Sequence, residues 1–258
     1  MNAPRSRLAV IGFFATACCV LPFALVGAEE DKAAGSSPSS PPTSSPSPSP
    51  SPLTRSIAAL HTAVSGNLDY CDEWLAGKDY KTLAVTAEGV QLLADALRRF
   101  SDGAQWKAAG DELRDGARGL QQAAKAQDAA KCKAALMVLR ERGARFAKLR
   151  PGGKPAATVR PSASLRSMMS LLDGTFADAK ASLAFGEAET AKSTAIVLAE
   201  LGRVVSNYRN DERWSKMSRE MIAAALETAE MKSDDPKAVR VQLRGVYQRC
   251  EACHNRKR

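Results

Sequence analysis

From about residue 55 to the C-terminus, apolar residues recur in steps of three and four, and nowhere do they alternate at the period of a strand. Ile57, His61, Val64, Leu68, Cys71 and Leu75 fall on one stripe, and Leu165, Met169, Leu172, Phe176, Ala179 and Leu183 fall on another. The pattern predicts helices over 55–76, 79–100, 104–125 and 128–148, then over 163–184, 187–208, 212–231 and 236–255. Asp234-Asp235-Pro236 marks the start of the last one, since an acidic cap followed by proline suits a first turn. Short loops between long amphipathic helices favour an up-down-up-down order, in which the first and fourth helix of a set are neighbours. The expectation is an all-α chain of two tandem antiparallel four-helix bundles.

The two sets look like copies. Trp106 and Trp214 are 108 positions apart, as are Gly66 and Gly174, Leu68 and Phe176, Thr82 and Thr190, and Leu93 and Leu201. After a one-residue slip near Gln127 the offset is 107, pairing Leu136 with Leu243, Leu139 with Val246 and Gly143 with Cys250. A gapless register of this length points to internal duplication, against the alternative of shared low-complexity helix composition. The expected units are residues 54–149 and 162–258. A linker over 150–161 joins them, punctuated by Pro151, Gly152, Gly153, Pro155 and Pro161.

Before the helices come two segments of other kinds. Arg5 and Arg7 precede an uncharged apolar run from Leu8 to Val26, and Val26-Gly27-Ala28 offers a small-residue cleavage site. Residues 1–28 therefore read as an export signal, either cleaved or kept as a signal anchor. Residues 29–53 are mostly Ser and Pro, with nothing to bury and a bias to extended polyproline II, so they read as a disordered tether. The expectation is a periplasmic or other extracytoplasmic protein, with membrane anchoring through the N-terminus open.

The chemistry concentrates at the end of the chain. Cys250, Cys253 and His254 form a Cys-x-x-Cys-His run, the attachment signature of c-type haem. Two thiols three apart on a helical turn can each add across one vinyl group of the ring. The next residue's imidazole then lies under the iron. The competing readings are weaker. A redox Cys-x-x-Cys sits at a helix start after a strand, and no strand pattern precedes this one. A zinc site needs four ligands, and the only other histidine, His61, is far away in sequence.

The fourth-helix stripe of the second set, Val239, Leu243, Val246, Cys250 and Cys253, faces the stripe that contains Met169. Met169 lies near the start of its helix and Cys253 near the end of its own, and in antiparallel neighbours those ends meet. Met169 is thus the candidate second axial ligand, set against the simpler role of a methionine filling core space. Met168 is expected off the stripe.

These residues resemble the class II c-type cytochromes, the cytochrome c′ group. The matching features are Arg166-x-x-Met169 with Gly174 and Phe176, Trp214-Ser215 opening the third helix, and Cys250-Glu251-Ala252-Cys253-His254 followed by basic residues. The resemblance covers about 162–258. It implies one covalent haem c, with His254 as proximal ligand and the residue at position 169 on the distal side. Methionine there implies a six-coordinate, low-spin electron carrier. An open distal site would instead imply a haem that binds nitric oxide or carbon monoxide.

In the first set, Gly143, Phe146 and Ala147 stand where Cys250, Cys253 and His254 stand in the second, so no covalent haem is expected there. His61 takes the register position of Met169. Cys71 and Cys132 lie on facing stripes and are expected to form a disulfide in an oxidising compartment, against the alternative of two reduced core thiols.

The formal net charge of +9, about +7 without Arg5 and Arg7, is spread along the helices rather than gathered in a patch with aromatics. Nucleic acid is therefore not an expected partner. Redox partner proteins are, with a small gas ligand as the alternative, and a homodimer is compatible with the sequence. No Ser/His/Asp set, paired-carboxylate site or phosphate loop marks the chain as an enzyme independent of haem.

Overall fold

The computed structural model describes residues 51–156 and 158–255, with side chains as far as Ala252. The export signal and almost all of the Ser/Pro tether lie outside the described residues, as do the side chains of Cys253 and His254. Among the described residues the chain is all-α, with eight helices and no strand: α1 (Pro52–Ala76), α2 (Tyr80–Arg98), α3 (Ala104–Lys125), α4 (Ala129–Ala147), α5 (Leu165–Ala184), α6 (Ala188–Val205), α7 (Glu212–Ala229) and α8 (Pro236–Asn255). None of them is long and apolar enough to cross a membrane.

Local chemistry sets the ends. Ser51 accepts the Thr54 N–H at 3.2 Å and Pro52 occupies the first turn, so α1 starts three residues before the expected start at 55 and takes in Pro52 and Leu53. Asp79, Asp128 and Ser164 cap α2, α4 and α5 in the same way, each accepting one orphan N–H. The structure also ends α6 at Val205 and α7 at Ala229, short of the expected limits at 208 and 231.

Helix α1 packs on α2, α2 on α3, α3 on α4, and α4 returns to α1. Helices α5 to α8 repeat the cycle. The 108 register reappears in detail. Trp106 donates its indole N–H to the Leu97 carbonyl at 2.7 Å, and Trp214 donates to Val205 at 2.9 Å. Thr86 bonds back to the Thr82 carbonyl, and Thr194 to Thr190. The loop between the first two helices of each set turns through one left-handed residue, Lys78 (φ 56°) in the first and Gly186 (φ 83°) in the second. Fully buried Leu60 and Met168 are another such pair. Met168, expected off the core-facing stripe, is instead completely enclosed, whereas Met169 is half-buried.

The segment after α4 is more than a spacer. Asp95, fully buried on α2, accepts both the N–H and the hydroxyl of Ser162 at 2.7 Å, and Glu88 accepts the Ser164 N–H at 2.7 Å. Ala156 donates to the Arg99 carbonyl and Asp102 to that of Lys154. These bonds lay the segment along α2 and carry α5 and α6 against α1 and α2. Across that contact Arg99 meets the buried carboxylate of Glu200 at 3.0 Å, with Arg203 on its other oxygen. A buried carboxylate is tolerated only with such partners.

Candidate functional site

At one end of the α5–α8 set the core opens. Along α8, Val239, Leu243 and Val246 are buried, but Cys250, one turn further, is only half-buried. Along α5, Leu183 and Ala179 are buried, while Phe176, Met169 and Leu165 are half-buried. Phe176 stacks on Tyr247 of α8 with ring centroids 5.7 Å apart, which holds the two helices together just below the opening.

The opening is a cavity of about 60 Å³ lined by Met169 and Leu172 of α5, Trp214, Met217 and Met221 of α7, and Cys250 of α8. That is room for about two water molecules. The lining is apolar and sulfur-rich, with Asp173 and Arg249 at its polar margin. Arg249 approaches Glu220 at 3.8 Å, an exposed pair of little energetic weight. Close packing of α6 on α7 fixes one wall: a Cβ at Gly202 would collide with the end of Met221. Trp214 is anchored through Val205, and Arg209 covers its ring at 5.5 Å.

The structure thus brings together Met169 and Cys250, two of the four residues singled out from the sequence. Helix α8 runs on through Cys253 and His254 to Asn255, so the whole Cys-x-x-Cys-His run is helical. Met217 and Met221 are additions that sequence reasoning missed. The signal was present, since Trp214, Met217 and Met221 are spaced three and four apart on the face that Trp214 defines.

The corresponding end of the first set is closed. Phe146, at the position of Cys253, is fully buried and packs edge-on against Trp106 at 4.6 Å and against His61 at 5.4 Å. Gly143, at the position of Cys250, has Leu68, Val64 and Leu113 about its Cα. His61 is half-buried, its Nε2 lacks a hydrogen-bond partner, and burial pushes its pKa down, so it sits as a neutral ring against Phe146.

Cys71 and Cys132 are both buried in this first core, on the packed helices α1 and α4, and are free thiols here. Burial pushes the Cys71 thiol up to about 12, with the Asp72 carboxylate adding to the effect and Arg140 opposing it. Among the described residues no three His, Cys, Asp or Glu side chains converge as a metal site. Comparison of the chain with protein-family models, with curated proteins and with solved structures returns no match.

Proposed function

We propose that the chain is an exported electron carrier of the cytochrome c′ kind, built as two tandem four-helix bundles, α1–α4 and α5–α8, with one covalent haem c in the second. The observation that carries this is the shared cavity of Met169 and Cys250, which lies at the end of α8 where Cys253 and His254 follow.

The donor set fits the group. Cys250 and Cys253 would form the two thioethers, each S–H adding across a vinyl bond with the proton passing to the neighbouring carbon, so that no oxidant is needed. His254 would bind the iron from below and Met169 from the distal side. Haem supplies one-electron iron chemistry when bound. A cavity of about 60 Å³ is far smaller than the group, so Met169, Met217 and Met221 must move apart to admit it. Unbranched methionines re-pack at low cost. Once re-packed, Leu172 and Met221 would keep water from the group. The soft sulfur of Met169 would favour reduced iron and raise the potential. In the first bundle Phe146 and Trp106 fill the equivalent volume, which supports a haemless repeat.

A second reading has one observation in its favour. Met169 is half-buried rather than enclosed, so a small gas could displace its sulfur and make the protein a nitric oxide or carbon monoxide binder. The export signal and tether, which lie outside the described residues, are part of the same proposal and put the carrier outside the cytoplasm.

The test of attachment is acid–acetone extraction of the matured protein. Retained haem, lost on Cys250→Ser together with Cys253→Ser, supports the proposal. Haem that extracts fully from the unaltered protein, or no haem at all, removes both readings.

A further inference from the structure

We infer that the cleft between the α1–α4 and α5–α8 sets is a binding site for a small organic cation, a protonated amine, with Asp178 as its counter-ion. The cleft holds a cavity of about 310 Å³ bounded by α1, α5 and α6, and a second of about 90 Å³ bounded by α1, α2 and α5. Asn67, Leu171, Thr175 and Asp178 border both. The larger volume equals that of about ten waters, or an organic molecule of about ten non-hydrogen atoms, at the lower end of ligand pockets.

The charge of the lining selects the ligand. It contains two carboxylates, Asp69 and Asp178, and no Lys, Arg or His. Asp69 already pairs with Arg140 at 2.8 Å, a guanidinium it shares with Asp72. Asp178 is half-buried and makes no ion pair among the described residues, so one carboxylate in the cleft lacks compensation. The titratable groups that face it come from α1, where Tyr70 and Asp69 lie. Helices α2 and α6 bring only hydroxyl and apolar side chains or glycine to the two cavities. Desolvation raises Asp178 from the ordinary 3.8 to about 6, the direction expected for a carboxylate short of a partner.

The hydrogen-bonding lining agrees with the charge. Thr175 and Thr194 donate their hydroxyl hydrogens to the Leu171 and Thr190 carbonyls of their own helices. Asn67 donates an amide hydrogen to Ala63. The hydroxyls of Thr175 and Thr194 keep only acceptor lone pairs for the cleft, which match the three hydrogens of an ammonium group. Leu93, Leu171 and Val197 offer apolar surface to its hydrocarbon part. An anion would meet repulsion, and a neutral alcohol would leave Asp178 uncompensated. The duplication accounts for the asymmetry: position 178 corresponds to Tyr70, so the second set supplies a carboxylate where the first supplies a phenol.

Calorimetric titration of the full matured protein with cyclohexylammonium, and with cyclohexanol as its neutral counterpart, tests the site. The expected result at pH 8 is saturable binding of the amine below about 10 mM and binding of the alcohol at least about tenfold weaker. Asp178→Asn should weaken amine binding about tenfold or more, and Thr194→Val by a smaller factor. For the unaltered protein, affinity should fall as pH drops through about 6, because protonation removes the counter-charge. This pH series decides the question even if a variant fails to fold. Absence of saturable amine binding, equal binding of the alcohol, or affinity indifferent to both pH and Asp178→Asn would overturn the inference and leave a water-filled cleft.

Discussion

Trp214 donates its indole N–H to the Val205 carbonyl at 2.9 Å, repeating, 108 positions on, the 2.7 Å bond from Trp106 to Leu97. The two bonds sit in different surroundings. Trp106 is 2% exposed and wedged against Phe146, whereas Trp214 borders the cavity that Met169 and Cys250 share. Replacing either by phenylalanine removes one of two donors to a carbonyl, since the Phe100 N–H also bonds to Leu97 and the Tyr208 N–H to Val205. Trp106→Phe should cost about 2–4 kcal/mol, because a buried void is added to the lost bond. Trp214→Phe should cost about 1 kcal/mol, because water can reach the site. Urea unfolding of the two variants checks the order, and equal losses would mean that the two ends of the molecule are equally closed.

The buried thiols of the first core lead to a redox prediction. Cys71 and Cys132 are buried on α1 and α4, which pack on each other, and a bond between them would close a loop of some sixty residues. In protein recovered from an oxidising compartment, non-reducing peptide mapping should find them joined. Reduction should lower stability by roughly 4 kcal/mol in the chain-entropy account. In reduced, folded protein, Cys71 should resist alkylation, since a thiol with a pKa of about 12 is almost entirely protonated at neutral pH.

Asp178 and His61, two of the groups whose titration differs between folded and unfolded chain, act on stability with opposite signs. Asp178 titrates at about 6 when folded and at 3.8 when unfolded, so its ionisation penalises the folded state. The penalty is absent below 3.8, grows between the two values and is full above about 6. Asp178→Asn should therefore raise the thermal midpoint at pH 7.5 and leave it nearly unchanged at pH 3.5. His61 has a lowered folded pKa, so stability falls as pH drops from 6.5 through that lower value, and His61→Phe should remove this component. Midpoints measured across pH for both variants separate the two effects.

The left-handed turn residues give a local test of the duplication. Lys78 adopts φ 56° where Gly186 adopts 83°, and a side chain in that region costs on the order of 1 kcal/mol. Gly186→Ala should destabilise by about 1 kcal/mol, and Lys78→Gly should stabilise or be neutral, since glycine also adds freedom to the unfolded chain. Thermal unfolding distinguishes these outcomes.

Much of this architecture is legible in the sequence because helical periodicity is written every three or four residues. The expected and observed helices share their C-terminal limits at Ala76, Lys125 and Ala184, and both place the start of the last helix at Pro236. Helix starts were less legible where a cap rather than the stripe decides them, as at Ser51. The site was legible in part. The stripe positions of Met169 and Cys250 predicted that they face one another, and they share a cavity. Met217 and Met221 went unnoticed because methionine on an apolar face looks like ordinary core. The clasp of Asp95 and Glu88 on the segment 150–164 was not readable at all, because it joins α2 to residues some seventy positions away. Asp178 was also missed: one carboxylate on a helix looks solvated until another helix set covers it.

Ligation of one covalent haem by Met169 and His254 has a direct spectroscopic signature. Absorption spectra of the matured protein are recorded, ferric and ferrous, before and after carbon monoxide. An electron carrier of this kind gives a low-spin ferric spectrum with the weak near-infrared band of a methionine–iron bond, indifferent to the gas. Met169→Ala should convert it to a high-spin form that binds the gas, while Met217→Ala should not. A high-spin spectrum in the unaltered protein, shifting at once with carbon monoxide, would contradict methionine ligation and make the gas-binding reading the correct one.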